Sequence, residues 1–152
     1  MPISGTIILC DKVFTTNNGQ HVIAGTYTTW TARVGSLRQA RHAFSSGLNL
    51  YIRFRPEHSG KAQVTVRIKD ERREVWDQSW LQTNFEVPVA EDLPRLVELA
   101  VTTPAFNVDV ATPESEPEPR DILLRNSIEL SIDEQLVATT PFDVRFVKPQ
   151  ER

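Results

Sequence analysis

Histidine, cysteine and tryptophan are the residues of this chain whose chemistry would mark a site, and their spacing decides how far each can be taken. His21, His42 and His58 fall in three different segments, and none has a second His or Cys at ligand spacing. A transition-metal site draws on three or four such donors. Surface or turn histidines are the default, and no metal or other cofactor is expected. Cys10, the single cysteine, lies between Leu9 and Asp11 in an apolar run. A nucleophile there would need an acting base beside it; a small buried hydrophobe within a strand is the plainer role. No Gly-x-Ser-x-Gly elbow is present, since Ser45-Ser46-Gly47 reads as a loop, and no glycine-rich phosphate loop occurs. Twenty acidic residues would bring carboxylates together by chance, and nothing in their spacing selects a pair. The expectation is that the chain is not an enzyme.

Two groupings invite binding chemistry. The first is Trp30, Trp76 and Trp80. Trp76, Gln78 and Trp80 share one face of a strand, and exposed indoles can stack on a sugar or hold a partner's apolar group. The bland reading is core, because large aromatics in small β domains are mostly buried. The second is the set Tyr51, Arg53, Arg55, Arg67 and Lys69, which alternation places on the outer face of one hairpin. Basic strands with interleaved aromatics bind nucleic acid or other polyanions. Against that, Asp77 and neighbouring carboxylates would pair with these cations across strands. The sequence pI of 5.6 and net charge of −3 also lack the unopposed basic character of nucleic-acid binders. The charge is uneven, basic over residues 33–73 and acidic over 74–152, which either marks an interaction face or pairs internally.

The elements that must position these residues are strands. Leu48, Leu50, Ile52 and Phe54 alternate with Asn49, Tyr51, Arg53 and Arg55, and Ala62, Val64, Val66 and Ile68 alternate with Gln63, Thr65, Arg67 and Lys69. With Glu57-His58-Ser59-Gly60 between them, they are expected to form a hairpin. A turn at Asp70-Glu71-Arg72-Arg73 leads on to a strand at Val75–Trp80. Thr6–Phe14 and Val22–Thr31 read as a pair joined by the polar turn containing Gly19. Residues 32–46 fit a short helix or a crossover, and residues 89–101 fit a helical turn opening at Asp92 and Pro94 or a strand through Val97, Leu99 and Val101. Phe106, Val108 and Val110 alternate. Three prolines and three glutamates in the eight residues Thr112–Pro119 argue for a flexible, solvated loop, near 111–120. A closing hairpin runs Ile128, Leu130, Ile132, a turn at Asp133-Glu134-Gln135, then Phe142, Val144, Phe146. Pro141 marks that last segment as an edge strand, or as its beginning. The sum is one all-β domain over 1–152: a two-sheet antiparallel sandwich, immunoglobulin-like in outline, with seven to eight strands and at most one or two short helical turns.

The order of features resembles a bacterial family of single-domain β-sandwich proteins of unknown function. The resemblance rests on Ile8-Leu9-Cys10-Asp11-Lys12-Val13, the Gly19 turn and Val22-Ile23-Ala24-Gly25-Thr26-Tyr27 at the start. It continues in Leu50-Tyr51-Ile52-Arg53-Phe54, Gly60 and Val64 to Asp70, and in Ile132 to Val137 with Thr140 to Val144 at the close. Where that family carries a Gly-x-Tyr element before its penultimate strand, this chain has Arg125-Asn126-Ser127-Ile128. The resemblance implies the sandwich fold and brings no activity with it.

Residues Met1 to Cys10 have no basic residue ahead of a short apolar stretch, no run approaches a membrane span, and a lone cysteine allows no internal disulfide. The expected location is cytoplasmic. The expected function is an interaction or accessory module presenting loops or a sheet edge to another protein. The alternative is a carbohydrate or small-molecule binder using the tryptophans. A homodimer formed through an edge is compatible with either.

Overall fold

The computed structural model describes residues 4–70, 79–91 and 96–149, with backbone alone at 79–81. Its strands are β1 (Gly5–Thr15), β2 (His21–Thr26), β3 (Thr29–Arg33), β4 (Gln39–Phe44), β5 (Asn49–Phe54), β6 (Gly60–Asp70), β7 (Ser79–Val89), β8 (Val97–Thr102), β9 (Phe106–Ala111), β10 (Asp121–Leu124), β11 (Asn126–Ile132), β12 (Gln135–Pro141) and β13 (Asp143–Val147). The chain is all-β and sandwich-like. Among the described residues there is no helix, and nothing is long and apolar enough to cross a membrane as one.

Alternation is the cause of the layering. Leu50, Ile52 and Phe54 of β5, Val64, Val66 and Ile68 of β6, and Ile128, Leu130 and Ile132 of β11 are each no more than 1% exposed. They join Phe142, Val144 and Phe146 in one continuous apolar cluster. Removing a side chain of this size from water contributes about 1.5–3 kcal/mol, so the strands are held chiefly by their inward residues.

The expected two sheets are instead four hydrogen-bonded sets: β2-β1-β5-β8, β12-β11-β6-β7, β10-β13-β3 and the pair β4-β9. The strand count of seven to eight is likewise too low, because residues 32–46 contain β4 and residues 97–102 form β8. Pairing is not wholly antiparallel, since β13 runs parallel to β3. The largest correction concerns the central hairpin. β5 pairs with β1 and β8, whereas β6 pairs with β7 and β11. The segment between them therefore crosses from one sheet to the other. Either arrangement buries the same alternate residues, so periodicity cannot distinguish them. At the other end, the hairpin is β11–β12, closed by Asp133 and Glu134 with φ of 48° and 68°. Two left-handed residues are what a two-residue hairpin turn of this hand requires. Asp133 adds a clamp: its amide donates to the Gln63 carbonyl at 2.8 Å, and its carboxylate accepts the Gln63 N–H at 2.9 Å. The strand through Val144 and Phe146 is neither an edge nor begun by Pro141: it is β13, central between β10 and β3. Pro141 instead ends the separate edge strand β12, which is the hairpin partner of β11.

The β1–β2 hairpin has an unexpected shape. The run from Ile8 to Thr15 would span roughly 23 Å in a straight strand. Ile8 is opposite Tyr51 and Thr15 is opposite His21, yet the Tyr51 and His21 rings are 5.6 Å apart. The outer half of the hairpin therefore folds back over the outer face of its own sheet. That cover explains why Cys10 and Tyr51, both on the outer side, are buried.

The proline- and glutamate-rich loop is mostly exposed but tied down. Glu118 accepts the Leu37 N–H at 2.9 Å and pairs with Lys148 at 3.0 Å, while Arg38 donates to the carbonyls of Pro113 and Glu116.

Candidate binding surfaces

The basic set is divided by the sheet crossing. Arg53 and Arg55 are exposed on the β5 side, while Arg67 and Lys69 stand half-buried on the outer face of the sheet containing β6. Tyr51 does not project with them. It is 5% exposed beneath the folded-back arm, its hydroxyl donates to Glu98, and burial followed by that bond pushes its phenol up to about 12. His21 Nδ1 approaches Glu98 at 3.7 Å. Asn49 donates to the Asp11 carbonyl and accepts from Thr102. On this face, then, the polar groups are largely satisfied by one another, and no polyanion surface results from the five residues as a set. Asp77, the expected partner of these cations, lies outside the described residues; Lys69 pairs with Glu129 at 3.2 Å.

Of the three tryptophans, Trp76 lies outside the described residues and Trp80 is described by its backbone in β7 only. Trp30 is half-buried in β3, with ring contacts to Tyr27, His42 and Phe44. Its indole N–H is buried without a hydrogen-bond partner among the described residues. One side of it borders a shallow depression with Asp11, Tyr27 and three threonines. Trp30 is thus part core and part wall. Burial also lowers the imidazole of neighbouring His42 below its ordinary value and raises the Cys10 thiol, which leaves that thiol a poor nucleophile. Among the described residues no three His, Cys, Asp or Glu side chains are placed to share a metal ion.

Among the described residues two surfaces remain open. The first lies along β7 and β8, each an edge strand of its own four-stranded sheet. Their inward residues Phe85, Val87, Val97, Leu99 and Val101 are only half-buried, unlike those of the central strands. Pro88 lies opposite Lys61. Having no N–H, it belongs in a sheet with its nitrogen turned away from the neighbouring strand. By the two-residue period, Gln82, Asn84 and Glu86 turn their backbone N–H and C=O groups the same way, toward the open side. Between the same two sheets, Gly5 of β1 packs against Val137 of β12.

The second surface is the outer face of the β12-β11-β6-β7 sheet. Across it Gln82, Arg67 and Glu129 form one row, and Asn84, Thr65 and Ser131 the next. They line a depression of about 560 Å³ that Leu136, 54% exposed, also borders. Gln63, Thr65, Arg67, Gln82, Asn84 and Ser131 make no side-chain hydrogen bond or ion pair with another described residue. Alternation in the sequence places Gln63, Thr65 and Arg67 outward; what it does not disclose is that β7 and β11 flank them. The run Thr83, Phe85, Val87, Val89 carries the same period-two signal and would have extended the strand assigned to Val75–Trp80.

No protein-family model matches the chain, and no curated protein sequence matches it.

Proposed function

We propose that the chain is a non-catalytic interaction module which accepts an extended segment of a partner protein along the edge of β7 left unpaired among the described residues. The observation that carries this reading is the 11-residue length of that edge strand, long enough for a regular ladder. Among the described residues only β6 pairs with it. A partner strand would receive main-chain hydrogen bonds from alternate residues and set apolar side chains against Phe85, Val87, Leu99 and Val101. Pro88 limits pairing at one end of the strand. The tryptophan-based sugar-binding alternative has little support at Trp30, whose ring is engaged by Tyr27, His42 and Phe44.

Asn84→Pro tests the proposal. It removes an outward-facing donor and leaves the β6 ladder its bonds, so the melting temperature stays close to that of the native chain. Thr83→Pro removes a donor from the β6 ladder and should lower the melting temperature clearly more than Asn84→Pro. Affinity capture at low and moderate salt should retain a partner on the native chain and lose it on Asn84→Pro. Identical capture by both proteins would remove the β7 edge from the proposal.

A further inference from the structure

We propose that the outer face of the β12-β11-β6-β7 sheet binds a neutral polyhydroxylated chain, an oligosaccharide, in the depression centred on Arg67 and Thr65. This site uses the outward side chains of the sheet and not the backbone edge of β7, although the Gln82 and Asn84 side chains that border it stand on that strand.

The contrast between the two outer faces carries the inference. On the β1–β5 face, Tyr51, Glu98, Asn49 and Thr102 spend their hydrogen bonds on one another under the folded-back arm. On the β6 face Gln63, Thr65, Arg67, Gln82, Asn84 and Ser131 make no such side-chain bonds with the described residues, and no described segment covers them. Arg67 is half-buried and flanked directly by Gln82 and Glu129. The Glu129 carboxylate pairs with Lys69, leaving the guanidinium of Arg67 without an ion pair among the described residues. The next row supplies the Asn84 amide and the hydroxyls of Thr65 and Ser131.

The chemistry of this field selects its ligand. Amides and hydroxyls both donate and accept, which matches alcohol groups that do the same. Arg67 offers two parallel donors to a pair of neighbouring hydroxyl oxygens. The lining carries one cation, Arg67, and two carboxylates, Glu129 and Glu134, so an anionic polymer gains little here over a neutral one. Exposed Leu136 gives the C–H face of a sugar ring an apolar contact. The depression, about 560 Å³, is within the range of small-ligand sites.

The test is an amide-resolved NMR titration of the full chain with cellohexaose, laminarihexaose, xylohexaose and maltohexaose, and with heparin as an anionic comparator. At least one neutral hexasaccharide at millimolar concentration should shift amides of β6, β7 and β11, and high salt should leave its affinity unchanged. Arg67→Met keeps the bulk of the side chain but removes the charged donor, and should weaken that binding by about tenfold. Thr65→Val, which keeps shape and removes the hydroxyl, should weaken it by about threefold. Arg53→Met, the matched change on the opposite face, should leave it unchanged. None of these variants alters the β7 backbone, so loss of sugar binding with partner capture retained separates this site from the β7 edge. Three results would overturn the proposal: no neutral oligosaccharide shifts the β6-face amides, Arg67→Met binds as the native chain does, or heparin alone binds and is released by salt.

Discussion

Replacing Gly47 by alanine should destabilise the protein far more than the same change at Gly19, although both glycines sit in turns with positive φ. Gly47 has φ +70° and Gly19 φ +76°, so alanine at either pays the left-handed backbone cost of about 1–2 kcal/mol. The surroundings then separate them. A Cβ at Gly19 meets nothing within 4 Å, whereas at Gly47 it falls 2.8 Å from both the carbonyl carbon and the hydroxyl oxygen of Thr103, and nearer still to the carbonyl oxygen. Thr103 cannot simply retreat. It is 3% exposed, its hydroxyl accepts the Leu48 N–H at 2.8 Å, and its own N–H donates to the Leu48 carbonyl at 2.9 Å. Forcing this contact apart leaves a buried donor unsatisfied, at about 1–3 kcal/mol. The total is about 3 kcal/mol, a sizeable part of the roughly 5–15 kcal/mol that holds a domain folded. For a chain of this length it corresponds to a fall in melting temperature of roughly 6–12 °C. Gly19→Ala carries the backbone cost alone and should lower it by about 2–8 °C. Calorimetry or circular dichroism melts of the two variants decide the matter. Equal melting temperatures would refute the claim that the Leu48–Thr103 clasp is rigid.

Two further outcomes concern pH. Both tyrosines, Tyr27 and Tyr51, have phenols pushed up to about 12, chiefly by burial. The fold favours the neutral phenol, so this contribution is intact below the ordinary value of 10.0 and is lost as pH rises from there to about 12. Absorbance at the phenolate band should therefore stay flat through the ordinary tyrosine range in the native protein and rise there in denaturant; coincident curves would contradict the burial. Glu118 is held below its ordinary value by the Leu37 N–H, then by Lys148. Its contribution is present above the ordinary carboxylate value and disappears as pH falls through the lowered one. Glu118→Gln should thus lower the urea midpoint at neutral pH, flatten its decline in acid, and speed proteolysis within 112–119. An unchanged acid limb would mean that the loop is held by Arg38 and by Thr112, whose hydroxyl and N–H donate to the Leu37 and Arg38 carbonyls, alone.

The residues themselves determined which side chains enter the core. Leu48, Leu50, Ile52, Phe54, Val64, Val66, Ile68, Ile128, Leu130, Ile132, Phe142, Val144 and Phe146 all follow from alternation, and each is no more than 2% exposed. Period two encodes that choice locally, because successive side chains of a strand point to opposite faces whatever its neighbours are. Pro141 shows the limit of such local signals: it ends the edge strand β12, while the strand it was expected to mark, β13, is central. Pairing partners are another matter. The β5–β6 crossing, the parallel β13–β3 contact and the insertion of β4 and β9 depend on which strands meet across long stretches of chain, and alternative pairings bury the same residues. The folded-back arm that hides Tyr51 and Cys10 is likewise invisible to periodicity, as are the rows that set Arg67 between Gln82 and Glu129. A strand's own pattern states which face is dry; only the assembled sheets decide what stands beside it on the wet one.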